Sequence, residues 1–457
     1  MKQKSLILTV LMVLVLALAA CAAPAAAPSA PAAAPATDGE AASSGPTYNE
    51  AGYRTDLAGT TIKYIGDSMG ASFQFEQRLA AEFEEQTGIK VEMIEGAQSA
   101  TERLAQYLQQ LGAQSSDIDV YRIDVIWPGI LEPHAVDLSE ALAMQNANYF
   151  ERIVANNTVG GKLVGIPIYV GAGLLYYRTD LLEKYGYAGP PQTWAELEEM
   201  AKTIQEGERA AGNPDFWGYV WQGAAYEGLT CDALEWQYSN NGGTIVEPDG
   251  TISINNPAAA ASFDRAKTWI GDISPEGITT YREEEARGVW QAGNAAFMRN
   301  WGYAWALGQA EDSVIKDKFA VSVLPKGDGP DGQHAATLGG WQAMVSVYSQ
   351  NQEAAIEWAR FITSEDVQTR RAIEVSQEPT IASVYENPDV IAANPYYASL
   401  LPVYQEGAVA RPSTVTAELY NDVSTIYFTA VHQVLTGEID GATAVANIER
   451  EVQRVLR

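Results

Sequence analysis

From Thr61 to Val125 the apolar pattern switches repeatedly between the every-second-residue spacing of a strand and the three-to-four spacing of a helix. Thr61-Ile-Lys-Tyr-Ile65 is β-rich. Phe75, Leu79 and Phe83 then share one helical face, closed by Thr87-Gly88. Ile89-Lys-Val-Glu-Met-Ile94 alternates like a second strand, and residues 100–111 put Leu104, Leu108 and Leu111 on one helical face up to Gly112. Asp119-Val-Tyr-Arg-Ile-Asp-Val125 is a third strand, leading into Trp127-Pro128-Gly129. Strand, helix, strand, helix, strand predicts an α/β chain with a parallel sheet and crossover helices.

The rest of the chain keeps this mixed style. Thr193-Trp-Ala-Glu196 is a capping box opening a helix through Ile204. Asn241-Gly242-Gly243 and Asp249-Gly250 are turn signals around a short hairpin. Asn256-Pro257 starts a helix carrying Phe263, Ala266 and Ile270, and residues 352–362 and 442–456 are further helices. No 20–50-residue repeat is present. The body from Tyr48 onward has about 410 residues, too many for one core, so two α/β lobes are expected.

The segment before that body has a different character. Lys2 and Lys4 precede a run from Leu6 to Leu18 that is apolar except for Thr9. It is shorter than the roughly 20 residues of a membrane span and reads as a secretory signal. Leu18-Ala19-Ala20-Cys21 resembles the lipobox of bacterial lipoproteins, which implies acylation of Cys21 and a lipid anchor as the sole membrane attachment. Residues 22–47, rich in Ala and Pro and then in Gly, Ser and acids, predict an extended, disordered leash.

Charge and rare residues exclude several functions. A net charge of −29 leaves no basic face for nucleic acid. Three scattered histidines make a His-ligated metal site unexpected, and no cofactor is called for. Of the two cysteines, Cys231 is left unpaired and sits in a helical pattern as a small buried hydrophobe.

Several segments then stand in a fixed order: Phe83-Glu-Glu-Gln-Thr-Gly-Ile-Lys-Val91, Asp119-Val-Tyr-Arg-Ile-Asp124, Gly160-Gly-Lys-Leu-Val-Gly-Ile-Pro167, Leu174-Leu-Tyr-Tyr-Arg178, Ser239-Asn-Asn-Gly-Gly243, Gln291-Ala-Gly-Asn-Ala-Ala-Phe297 and Leu338-Gly-Gly-Trp341. With the lipobox, this set resembles the extracellular solute-binding proteins of carbohydrate ABC importers, the maltose-binding-like group. Gly173-Leu-Leu-Tyr-Tyr-Arg178, Leu181-Leu-Glu-Lys-Tyr-Gly-Tyr187, Asn300-Trp-Gly-Tyr-Ala-Trp305 and Ala336-Thr-Leu-Gly-Gly-Trp341 resemble most the trehalose/maltose-binding proteins within it. The resemblance implies a two-lobed periplasmic-binding-protein-like fold with a hinge of several crossing segments. Residues 166–170 and 337–340 are two expected crossings. The expected lobes are 48–168 plus about 341–372, and 169–340 plus about 373–457. It further implies a monomer, not an enzyme, that holds a small saccharide in the interlobe cleft and passes it to transmembrane permease subunits.

A pyranose presents flat CH patches and a rim of hydroxyls, so its site needs aromatic faces together with carboxylates, amides or guanidinium groups. Trp301 and Tyr303, read as one extended segment, give a two-aromatic platform; the alternative is a pair of core aromatics. Gly339-Gly340-Trp341 joins a closely approachable backbone to a large ring, or else is a turn before a buried Trp. Asp124 lies at the carboxyl end of a strand, where ligands of α/β sheets collect, unless it only caps a turn. By resemblance, Asp124 accepts from sugar hydroxyls, Arg103 and Arg411 donate to the sugar, and Tyr169 lines the cleft. The arginines read equally as solvated surface, and Tyr169 as hinge core.

Two departures stand out. Gly171 replaces an acidic residue of the sugar-binding relatives, and Ser72-Phe-Gln74 replaces a carboxylate in the first helix. Gln74 then offers an amide instead, and Gly171 leaves space for water, another anomer or a larger sugar. A binding protein for a monosaccharide, polyol, oligosaccharide or peptide is the main alternative. A secreted glycosidase, which needs two carboxyls flanking the scissile bond, is a further one.

Overall fold

The computed structural model describes residues 45–68, 70–402 and 408–457. The signal segment, Cys21 and nearly all of the 22–47 leash lie outside them. Pro46–Arg457 is one compact unit carrying every described helix and strand.

The strands in chain order are β1 (Thr61–Ile65), β2 (Lys90–Ile94), β3 (Val120–Asp124), β4 (Thr158–Val159), β5 (Lys162–Leu163), β6 (Ile166–Ala172), β7 (Leu174–Arg178), β8 (Trp217–Val220), β9 (Ala295–Asn300), β10 (Phe319–Val323), β11 (Ala336–Val345) and β12 (Ala408–Val409). β1 pairs in parallel with both β2 and β3, as the alternation predicts. β11 joins β3 antiparallel and takes β6 on its other side, completing a six-stranded sheet with β12. A second sheet of four strands runs β10-β7-β9-β8.

Local sequence accounts for the helices that cover these sheets. Phe75, Leu79 and Phe83 are buried on Gly70–Thr87, where Phe83 meets Trp358 and Phe361 of the helix Gln352–Thr363. Ala100–Gly112 is capped by Ser99, whose hydroxyl accepts from Glu102 N. Such a cap contributes about 1 kcal/mol. On this helix Tyr107, not the expected Leu108, completes the buried face; Leu108 is 38% exposed. Trp194–Ala210 runs past the expected Ile204. Its capping box is half formed: Thr193 accepts from Glu196 N, but Glu196 turns to Gln192 N. Asn256 caps Pro257–Trp269, which ends before Ile270 because the chain turns extended there. The expected hairpin reduces to one bridge, Val246 to Ile252. Four indoles (Trp194, Trp221, Trp236 and Trp269) form an aromatic knot against the second sheet, with ring centroids 5.0–6.2 Å apart. The helices Tyr420–Leu435 and Gly441–Val455 pack beside Glu227–Ser239 and Pro257–Trp269.

The expected crossings at 166–170 and 337–340 both lie inside the first sheet, in β6 and β11; the chain changes sheet just beyond them, at 173 and within 324–335. β6 lies in the first sheet and, after Gly173, continues as β7 in the second. A Cβ at Gly173 would stand 1.9 Å from Glu235 Oε1, so only glycine fits the passage. Thr337 N, at the start of β11, donates to the same Glu235 oxygen at 3.0 Å. The chain therefore has the two α/β lobes expected, one around each sheet. The boundary expected near 372 falls inside a continuous helix, Glu365–Val375, which packs on Gly70–Thr87 and Gln352–Thr363.

Candidate functional site

A pocket opens where the crossing strands meet the ends of β3 and β9. Its floor is set by register. Asp124 on β3 faces Trp341 on β11, and Trp341 faces Tyr169 on β6. One step along, Val170 faces Gly340 and Gly171 faces Gly339. Gly340 sits at φ +135° with Tyr169 O 2.6 Å from where its Cβ would be. Both features demand glycine. The ring of Trp341 is held by cations: Arg103 Cζ lies 4.7 Å and Arg122 Cζ 5.2 Å from it.

One wall is aromatic. β9 stops at Asn300, whose side chain accepts from Trp301 N, and the chain then turns into the helix Ala304–Gly308. Trp301 and Tyr303 thus reach the pocket from a turn, not from the extended segment expected. Tyr226 joins them from the start of Glu227–Ser239. Arg299 Cζ stands 4.1 Å from the Trp301 ring and is itself paired with Glu235 at 2.6 Å. Trp305 turns away, donating to Ala393 O.

The remaining wall is polar. Arg411 reaches Glu227 at 2.8 Å, Asp124 at 3.3 Å and Leu338 O at 3.1 Å. Burial, reinforced by the Glu227 charge and opposed by Arg411, lifts the Asp124 carboxyl to about 6. Asp67 follows the end of β1, 2.8 Å from Arg122, which also contacts Glu76 at 2.9 Å and donates to Tyr169 Oη at 2.9 Å. Gln377 donates to Asp67 and Ser72, bringing the segment after Glu365–Val375 to the same edge. Cys231 lines the pocket from behind, with burial pushing its thiol well up. Among the described residues no group of three or more His, Cys, Asp or Glu is placed to hold a metal.

Of the eleven residues expected at a ligand site, nine line this pocket: Asp124, Tyr169, Gly171, Trp301, Tyr303, Gly339, Gly340, Trp341 and Arg411. Two do not. Gln74 is exposed on the outer face of Gly70–Thr87, because the helix turns Ser72, Phe75 and Glu76 inward. Arg103 is buried behind Trp341 and spends its donors on Ala97 O and Gly66 O, with Gly96 making room for it. The space expected at Gly171 is bounded by Trp301, whose Cε3 would be 3.7 Å from a Cβ there. The pocket amides are Gln98 and Gln377. Asp67 was within reach of the strand-end rule that singled out Asp124. Tyr226, Glu227, Glu283 and Glu378 carry no local marker and are brought in by tertiary structure alone.

Comparison with known proteins agrees with this architecture. Residues 66–369 match the model of the bacterial extracellular solute-binding protein family. A probable ABC transporter-binding protein of Deinococcus radiodurans is 49% identical over 396 residues, covering 86% of this chain and 93% of the relative. Maltose-bound MalE3 of T. maritima superposes with a TM-score of 0.82 at 38% identity, over 87% of this chain and all of that one. A tagatose-bound solute-binding protein from Thermotoga lettingae shares the fold, with a TM-score of 0.77 at 23% identity. By the extent of the family match and by the Deinococcus relative, this chain belongs to the bacterial extracellular solute-binding proteins.

Proposed function

We propose that this protein captures a small saccharide, a disaccharide such as maltose or trehalose, in the pocket between its crossing strands and delivers it to the permease subunits of an ABC importer. One observation carries the reading: the pocket sets Trp301, Tyr303, Tyr226 and Trp341 against Asp67, Asp124, Gln98 and Arg411. Aromatic faces suit the CH patches of a pyranose, and the polar groups suit its hydroxyls. The likeness to maltose-bound MalE3 and to an ABC transporter-binding protein supports it. The nine expected residues on the pocket wall act as ligand contacts, while Arg103 acts through Trp341. β6 and β11 serve as the hinge, and ligand that touches both lobes favours the closed state because its contacts are complete only there. Lipidated Cys21 and the 22–47 leash tether a monomeric body outside the cell membrane, a reading that fatty-acid labelling lost in Cys21→Ala tests.

Isothermal titration calorimetry against maltose, trehalose, sucrose, glucose and a short maltodextrin tests the binding. One-to-one binding of a disaccharide supports the reading. Silence across that panel, with binding of a polyol or peptide instead, replaces it with another solute. Turnover of any of the sugars sinks it in favour of a glycosidase.

A further inference from the structure

Three glutamates in sequence, Glu283, Glu284 and Glu285, open the helix Glu283–Gln291 at the edge of the pocket. Acidic residues in a first turn ordinarily offset the exposed amides there. Only Glu285 does so, accepting from Arg282 N at 2.9 Å. The other two turn sideways. Glu283 accepts from Tyr226 Oη at 2.7 Å and from Trp301 Nε1 at 3.4 Å. Its backbone carbonyl accepts from Asn300, the residue that fixes Trp301 N. Glu284 accepts from Tyr303 Oη at 2.7 Å and is itself gripped by Arg287.

We infer that Glu283 and Glu284 are positioning residues for ligand recognition: they hold Tyr226, Trp301 and Tyr303 as a stacking wall by occupying the polar end of each ring. This rests on the saccharide reading and deepens it. With both phenols and the indole N–H already spent on glutamates, this wall offers ring faces. Sugar hydroxyls are then left to the other polar groups on the pocket lining, Asp67, Asp124 and Gln98 among them. The site divides its labour: an aromatic wall that accepts any pyranose face, and a polar wall that decides which hydroxyl pattern stays. Rigid rings cost little ordering on binding, so fixing them in advance raises affinity. Burial, then the charges of Glu283 and Glu284, raises the phenols of Tyr226 and Tyr303 well above the ordinary range, so both remain donors at neutral pH.

The test compares Ala and Gln at each position, with three readouts: maltose affinity, near-ultraviolet circular dichroism of the unliganded protein, and thermal stability. Glu283→Ala and Glu284→Ala are expected to lower affinity by about tenfold and to change the aromatic spectrum. Glu283→Gln and Glu284→Gln are expected to stay within about threefold, because an amide still accepts from one donor and gives an N–H to a phenol oxygen. Tyr303→Phe removes only the hydroxyl and keeps the fold within reach should an Ala variant not fold. It should match Glu284→Ala in affinity, and the double variant should lose nothing more. Equal loss of melting temperature in Ala and Gln variants, with affinity and spectrum unmoved, would make these residues helix-end charges and overturn the inference. Gln variants as weak as Ala would overturn it too, since the charge itself would then be meeting the ligand. If the wild type binds no saccharide, the proposed function fails, while the spectra and the Glu284–Tyr303 double variant's stability still decide this point.

Discussion

Gly171 and Gly339 face each other across β6 and β11, and Trp301 covers the pair: a Cβ at Gly339 would stand 2.9 Å from Trp301 Cζ3, one at Gly171 3.7 Å from Cε3. The difference separates the two positions. An alanine at 339 must push the indole, and such overpacking costs about 1–3 kcal/mol. Gly339→Ala should therefore lower saccharide affinity at least tenfold in calorimetry, while Gly171→Ala, which leaves the indole in ordinary contact, should lower it clearly less. Equal effects would mean that Trp301 does not bear on the ligand.

Arg122 is fully buried between Asp67 and Glu76, with Arg371 3.2 Å from Glu76 and the Arg122 ring contact to Tyr169 beside it. Removing the central cation takes the buried counter-charge from Asp67 and leaves Glu76 with Arg371 alone, which costs about 3–5 kcal/mol. Arg122→Met should show that loss in urea denaturation and should release Tyr169 Oη from its donor. A loss below about 1 kcal/mol would show that Asp67 and Glu76 are neutralised without it.

How much of this was legible in the sequence depends on how local each cause is. β1, β2 and β3 and the helices between them are written in periodicity, and Phe75, Leu79 and Phe83 are buried where that periodicity puts them. Leu108 was misread because helical spacing does not tell a leucine from a tyrosine one position away, and Tyr107 wins the core by donating to Arg122 O. Trp301 and Tyr303 line the pocket, but from a turn and not from the extended segment their spacing suggests. β9 ends at Asn300, before the extended platform expected at 301–303 begins, and Asn300 makes the turn. The substitution pattern points to Gln74, yet its side of the helix is set by Phe75 and Glu76, which turn inward, Glu76 to meet Arg122. Glu283 and Glu284 look like any acidic helix start. Only the return of Tyr226 and Trp301 to the same spot gives them a second role.

Asp124 makes stability depend on pH in a direction opposite to that of a paired surface acid. Its carboxyl rises from 3.8 to about 6, chiefly through burial. Between those values the native state holds a proton that the unfolded chain has released, so stability from this group falls as pH rises through the interval. The loss is complete above about 6 and amounts to on the order of 3 kcal/mol. Asp124→Asn removes the titration. Urea melts at several pH values should show the wild type losing ground to the variant on going from acid to neutral, then running parallel. Parallel curves throughout would mean that Arg411 keeps the carboxylate ionised.

Gln74 and Gln98 give the last discrimination, because both are exposed amides and only Gln98 stands on the pocket wall. A solvated helix position away from special contacts tolerates substitution within about 0.5 kcal/mol. Gln74→Ala should leave both melting temperature and saccharide affinity at wild-type values. Gln98→Ala removes a donor and an acceptor from the polar wall and should weaken binding about fivefold, the worth of one hydrogen bond to a neutral hydroxyl. The aromatic wall is undisturbed in either variant, so selectivity among sugars should shift in Gln98→Ala along with affinity. Reversed effects, with Gln74 the sensitive position, would move the saccharide off this pocket and onto the outer face of Gly70–Thr87.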